Sequence, residues 1–184
     1  MYFPQGLTAS AETGCGKSTL LLSHLSKDHL VFTLDAGDSK DKVTQSDLFK
    51  PDFVTFVLGP SQITLRHYTW EKKRDFILID GAHGYPFTDL DYYFMYPQIN
   101  RGGLLALDDV HIPTITNLFN FLCEDDMFRL IALEGYTAFF LRTDKDTFDP
   151  HGDNWWTQKY NQHRFPHKDW LEPILGEKWW LTKT

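Results

Sequence analysis

Between Ala11 and Thr19 the chain reads A-E-T-G-C-G-K-S-T, a glycine-rich turn suited to joining a strand to a helix around a nucleotide. Glycines at alternate positions let the backbone turn sharply and come close to a ligand. The nonapeptide fits two incompatible descriptions. As Ala11-x4-Gly16-Lys17-Ser18 it approximates a phosphate-binding P-loop, with Lys17 for the phosphates and Ser18 for Mg²⁺, and so an ATPase or kinase. As Glu12-x-Gly14-x-Gly16 it sets a carboxylate beside the turn, which opposes a polyanion and favours a cationic ligand. Ala11 also stands where a P-loop has its opening glycine.

The next segments carry acids and amides to the ends of strands. After an apolar helical run at Leu20–Leu25, the strand Leu30–Leu34 ends in Asp35, about 20 residues past the glycine turn, where a carboxylate can accept from two ribose hydroxyls. Asp35 also suits the opening of a turn through Ala36-Gly37-Asp38. The strand Phe53–Leu58 runs into Gly59-Pro60-Ser61-Gln62. Ser61 and Gln62 suit an adenine edge, and Ser61 equally suits the N-cap of the helix that follows towards His67. The strand Phe76–Ile79 delivers Asp80 and then His83; it also matches a Walker B strand, with Asp80 as its acid. After the turn Asn100–Gly103, the strand Leu104–Leu107 delivers Asp108, Asp109 and His111. In an open parallel sheet, ligands sit at the carboxyl ends of strands where strand order reverses. If the first, fourth and fifth strands are neighbours, Asp80, Asp108 and Asp109 meet there, and crowded carboxylates suit a hard cation such as Mg²⁺ or Ca²⁺.

In combination these segments resemble the class I S-adenosylmethionine-dependent methyltransferases. Within them, the run Glu12–Leu141 is similar to the metal-dependent small-molecule O-methyltransferases related to catechol O-methyltransferase and to bacterial sugar and macrolide O-methyltransferases. Glu12-x-Gly14-x-Gly16 matches their first motif, Asp35 their ribose-binding acid, and Gly59-Pro60-Ser61-Gln62 their adenine-contacting turn. The resemblance implies Asp80, Asp108 and Asp109 as metal ligands and puts His83 where the catechol enzyme has a catalytic lysine. It therefore implies S-adenosylmethionine as cofactor, Mg²⁺ or another divalent cation, and a small hydroxylated acceptor. His83 would be the base, with His111 as the second candidate or a further ligand. The sequence departs from the family at Lys17 and Ser18, where small residues are usual. A nicotinamide dehydrogenase is disfavoured because Gly14-x-Gly16-x-x-Thr19 lacks the third glycine; a domain that keeps this fold without turnover is the non-enzymatic alternative.

The expected fold is α/β: a Rossmann-like, doubly wound, mostly parallel sheet with a C-terminal antiparallel strand pair. Helices are expected at Thr88–Met95 and Thr114–Leu122 between the strands. The pair is Phe128–Leu133 and Thr137–Leu141, a hairpin across Glu134-Gly135-Tyr136 with no helix between its strands. A first strand over Gly6–Ala11 is expected despite its lack of branched apolar residues. The catalytic domain is assigned to residues 1–145. Residues 146–184 form an aromatic-rich tail containing Trp155, Trp156, Trp170, Trp179 and Trp180, with His151, His163 and His167. That tail either lies over the site as a lid or staples itself to the domain or to a second copy of the chain.

At 184 residues the chain has the length of one domain, and its net charge of −7 argues against a nucleic-acid partner. The sequence holds no apolar run long enough for a bilayer and no signal-like N-terminus, so a cytoplasmic protein without a membrane partner is expected. The two cysteines, Cys15 and Cys123, form neither a disulfide framework nor a metal-ligand pattern.

Overall fold

The computed structural model describes residues 5–34 and 37–164. Seven strands form one sheet: β1 (Ser10–Thr13), β2 (His29–Thr33), β3 (Val54–Leu58), β4 (Arg74–Ile79), β5 (Ile99–Leu107), β6 (Phe128–Glu134) and β7 (Thr137–Arg142). Their order is β3-β2-β1-β4-β5-β7-β6. The five strands from β3 to β5 pair in parallel, and β7 runs antiparallel to both of its neighbours. The order reverses between β1 and β4, which is where a doubly wound sheet opens a ligand crevice.

Among the described residues, six α-helices connect or flank the strands: α1 (Lys17–Leu25), α2 (Ser39–Thr44), α3 (Ser61–His67), α4 (Phe87–Met95), α5 (Pro113–Glu124) and α6 (Lys159–Arg164). Strand side chains alternate between the two faces of the sheet. One set, including Ala11, Phe32, Ile77, Leu105, Leu107 and Phe140, is buried with Leu65 of α3, Met95 of α4 and Ile115, Leu118 and Leu122 of α5. Full burial of each large apolar side chain contributes about 1.5–3 kcal/mol, so this face anchors the domain. On the other face, under α1, polar side chains are buried among apolar ones such as Val31, Leu78 and Leu22. Ser10 Oγ lies 2.8 Å from His29 Nδ1, and His29 Nε2 lies 3.1 Å from the Glu12 carboxylate.

Two strand boundaries differ from those expected. The first strand begins at Ser10 rather than Gly6; among the described residues before it, Leu7 forms an isolated bridge with Ser26. Its residues have weak strand propensity, and pairing with β2 on one side and β4 on the other sets their conformation. The expected turn Asn100–Gly103 lies inside β5, as an excursion between the pairs Arg74–Ile99 and Phe76–Leu104. Gly103 is needed there, because a Cβ would sit 2.8 Å from the Asn100 carbonyl oxygen and 3.0 Å from that of Asp75.

The start of the tail is fastened to the domain. Arg142 is buried and donates to the Lys145 carbonyl at 2.8 Å and to Thr147 Oγ1 at 3.0 Å. Tyr96, just after α4, donates to the Phe148 carbonyl at 2.8 Å, and the Tyr160 ring lies 5.3 Å from that of Phe121 on α5. Up to Arg164 the tail therefore lies along α4 and α5. Trp170, Trp179, Trp180 and His167 lie outside the described residues.

Candidate active site

The glycine turn leaves β1 at Gly14, whose φ is +90°. A Cβ at Gly14 would fall 2.0 Å from the Asp80 carbonyl oxygen, so only glycine lets the turn pass this close to the end of β4. Thr19 of α1 fixes the turn from behind. Its hydroxyl accepts from the Gly16 N–H at 3.0 Å and donates to the Glu12 carboxylate. Glu12 is fully buried and also bound by His29. The predicted cofactor residue Glu12 thus holds the turn in shape through Thr19 and does not line the cavity in front of it.

That cavity has a volume of about 520 Å³ and opens at the carboxyl edge of β1, β2 and β4. Of the predicted cofactor residues, Gly14, Ser61 and Gln62 line it, together with Asp80. Ser61 is the first residue of α3, after Pro60 at the cap position, and forms no side-chain cap. Gly16 lines a second cavity instead. Asp35 lies outside the described residues; Leu34, directly before it, lines the first cavity. Sequence reasoning missed the hydrophobic walls, chiefly Phe32 from β2 and Phe87 from the first turn of α4. Phe32 was legible as an apolar strand residue but not as a wall, because the burial that makes it core also closes the cavity.

The second cavity, of about 470 Å³, is lined by Lys17 and Ser18 at the start of α1 and by Asp108 and Thr137, over a floor that includes Leu78 and Phe139. Asp80 lines both cavities. Lys17 and Ser18 therefore face a different space from the Gly14–Ser61–Gln62 wall. A P-loop reading needs the whole glycine turn in one cradle with them, whereas of the turn only Gly16 lines their cavity and Gly14 and Cys15 line the first.

Beside Asp80, ligand atoms of Asp80, His83 and Asp109 come within 4.8 Å of one another. His83 Nε2 is 3.0 Å from Asp109 Oδ2 and 3.9 Å from Asp80 Oδ1. The loop that carries His83 is tied to α5, since Thr114 donates to the His83 carbonyl at 2.6 Å. Asp109 has φ +55°, a conformation uncommon for a residue other than glycine, and this turns its carboxylate back towards Asp80. His111 Nδ1 is 3.7 Å from Asp109 Oδ1, and its ring packs 4.0 Å from that of Tyr136.

The expected trio of carboxylates is thus assembled differently. Asp108 Oδ1 accepts from Thr137 Oγ1 at 2.5 Å and stands outside the cluster, and His83 takes the third place. Asp108 still acts on its neighbour through space. Burial pushes the Asp80 carboxyl up to about 6, Asp108 and Asp109 add to the rise, and His83 opposes it. A carboxylate held this way favours a bound positive charge.

Comparison with known proteins agrees with this fold. Residues 11–110 match a family described as a methyltransferase domain. No curated protein matches the chain in sequence. Among solved structures, a Klebsiella pneumoniae protein assigned as an O-methyltransferase is 18% identical with a TM-score of 0.60, and 74% of each chain is covered. The SAH-bound methyltransferase PaMTH1 of Podospora anserina is 18% identical, TM-score 0.56, over 75% of this chain and 73% of that one. MycE, a methyltransferase of mycinamycin biosynthesis in complex with Mg, SAH and mycinamycin VI, is 14% identical, TM-score 0.53, over 80% of this chain and 48% of that longer one. These likenesses establish the fold, and the match over residues 11–110 establishes the family: the chain belongs to the methyltransferase-domain family, with the class I S-adenosylmethionine-dependent methyltransferase fold.

Proposed function

We propose that the protein transfers the methyl group of S-adenosylmethionine to the oxygen of a small hydroxylated acceptor with the help of a divalent cation. The observation that carries the reading is that Asp80 joins three features: it lines the cavity of Gly14, Ser61 and Gln62, it lines the second cavity, and it belongs to the cluster with His83 and Asp109. The complexes of PaMTH1 and MycE with SAH, the demethylated form of that cofactor, support the choice of cofactor, and Mg in MycE supports the cation. The chain's net charge of −7 favours a small acceptor over a nucleic acid.

The carboxylates fit a divalent cation: those of Asp80 and Asp109 lie within 4.8 Å of each other, with Asp108 acting on Asp80 from nearby. Asp80 and Asp109 would hold it, and Asp108 would join them if its bond to Thr137 gave way. A cation bound there would stabilise negative charge on the acceptor oxygen. The chain's own residues do the rest. Gly14 and the Ser61-Gln62 turn hold the cofactor. His83 takes the hydroxyl proton at Nε2, and Asp109, 3.0 Å away, steadies the imidazolium that forms. The acceptor oxygen bonds to the methyl carbon as the carbon–sulfur bond breaks, leaving a neutral thioether. Holding oxygen, carbon and sulfur in line supplies on the order of 7–11 kcal/mol of the barrier.

The test is transfer of labelled methyl from S-adenosylmethionine to a panel of sugars, phenols and polyketide alcohols, with Mg²⁺ and with chelator. His83→Ala should lower the rate by roughly 10²–10⁴-fold with cofactor affinity kept. Asp80→Ala should abolish transfer. Turnover that is unchanged in chelator would remove the cation, and label found on nitrogen would remove the O-methyl assignment.

A further inference from the structure

Lys17, which gave the glycine turn its likeness to a P-loop, has no part in the proposed chemistry. It is the first residue of α1, and no acid lies in that first turn. A cation there opposes the helix dipole, so Lys17 does not stabilise α1. Its side chain is exposed and forms no ion pair among the described residues. It does line the second cavity, where it is the one cationic side chain among the described residues. That cavity, of about 470 Å³, has the size of a small-molecule site, roughly 300–1,000 Å³. Its floor is apolar, with Leu78, Ala106 and Phe139 supplied by the adjacent strands β4, β5 and β7. Two carboxylates complete the lining: Asp80, shared with the first cavity, and Asp108, which is held by Thr137.

We propose that the second cavity receives the acceptor and that the acceptor is a compact hydroxy acid: its apolar body lies on the Leu78–Ala106–Phe139 floor, its hydroxyl points to Asp80 and its carboxylate meets Lys17. This rests on the methyl-transfer reading, which puts the cofactor in the first cavity. Asp80 lines both cavities, so a hydroxyl that reaches it from the second approaches the cofactor's side of the first. The charges fix the orientation. Asp80 and Asp108 repel a carboxylate and Lys17 attracts it, so the charged end turns to α1 and the neutral hydroxyl to the acids. Beside an apolar floor that attraction is weakened less by water than on an open surface. One lysine balances one negative charge. With two acids in the same lining, a carboxylate therefore fits better than a phosphate dianion.

The experiment is calorimetric titration of protein saturated with S-adenosylhomocysteine, with Mg²⁺ present. The probes are meta-hydroxybenzoate and its neutral counterpart meta-hydroxybenzamide, and the proteins are wild type, Lys17→Ala, Lys17→Arg and Leu21→Trp. Wild type should bind the acid roughly tenfold more tightly than the amide. Lys17→Ala should lose that preference by weakening the acid alone, and Lys17→Arg should keep it. Added salt should weaken the acid and spare the amide. Leu21 lines the same cavity and is 60% exposed, so a tryptophan there fills the space without disturbing the core. Leu21→Trp should weaken both probes at unchanged affinity for S-adenosylhomocysteine. Wild type with no preference for the acid, a preference that survives Lys17→Ala, or undiminished binding in Leu21→Trp would overturn the inference and leave the methyl-transfer reading standing. Wild type that fails to bind S-adenosylhomocysteine would instead overturn that reading and take the acceptor assignment with it.

Discussion

Replacing Gly14 with alanine separates two glycines that look equivalent in the sequence. At Gly14 the new methyl would enter a backbone with φ +90° and lie 2.0 Å from the carbonyl oxygen of Asp80. Left-handed backbone costs a residue with a Cβ on the order of 1–2 kcal/mol. The overlap is with main chain, so no side-chain rotation relieves it, and forced repacking adds about 1–3 kcal/mol. The sum, ~2–5 kcal/mol, is a large share of a typical domain's stability and corresponds to a fall in Tm of roughly 4–20 °C. Gly16 is the internal control. Its φ is −178°, open to any residue, and a Cβ there meets nothing within 4 Å. Gly16→Ala should stay within ~0.5 kcal/mol of wild type. Thermal unfolding followed by circular dichroism reads both variants, and S-adenosylhomocysteine titration should show lost affinity only for Gly14→Ala. Equal Tm values for the two would refute the reasoning.

Three further outcomes follow from the site. Asp80 has a raised carboxyl, at about 6, so it binds its proton more tightly in the folded chain; its stabilising contribution is full below the ordinary range and is lost as pH rises through about 6. Asp80→Asn should therefore raise the Tm of metal-free protein above pH ~6 and change it little near pH ~4, and a pH-independent difference would contradict this. Because Asp108 is engaged by Thr137, Asp108→Ala should weaken Mn²⁺ or Mg²⁺ binding less than Asp109→Ala; the reverse ranking in a titration would restore Asp108 to the first set of ligands. Glu12→Leu leaves His29 and Thr19 without their buried acceptor and should cost about 2–5 kcal/mol, with cofactor affinity falling alongside Tm. Affinity lost at unchanged Tm would mean that Glu12 meets the ligand itself.

Much of the fold was legible because its strands carry their own signal. Leu30–Leu34, Phe53–Leu58 and Phe76–Ile79 were expected within a residue or two of β2, β3 and β4, since apolar runs bounded by turn residues suffice for buried parallel strands. The hairpin of β6 and β7 was read from its turn, but not the insertion of β7 between β5 and β6. That placement depends on long-range pairing of Leu104–Leu107 with Ala138–Leu141, which no local pattern encodes. The first strand was misplaced because its neighbours, not its residues, make it a strand. The short helix α2 carries no apolar period and was not expected.

The site divides in the same way. That Gly14, Ser61, Gln62 and Asp80 share one cavity was legible because motif spacing fixes them to strand ends. The exchange of Asp108 for His83 in the cluster was not legible: it depends on Thr137, 29 residues away from Asp108, and on the positive φ of Asp109.

The most direct test of the account is calorimetric titration of the purified chain with S-adenosylmethionine and, separately, with ATP and Mg²⁺. The geometry of the Gly14–Ser61–Gln62 cavity, with Lys17 facing elsewhere, predicts saturable binding of S-adenosylmethionine, abolished in Gly14→Ala, and no binding of ATP. Binding of ATP that requires Lys17, without binding of S-adenosylmethionine, would contradict it.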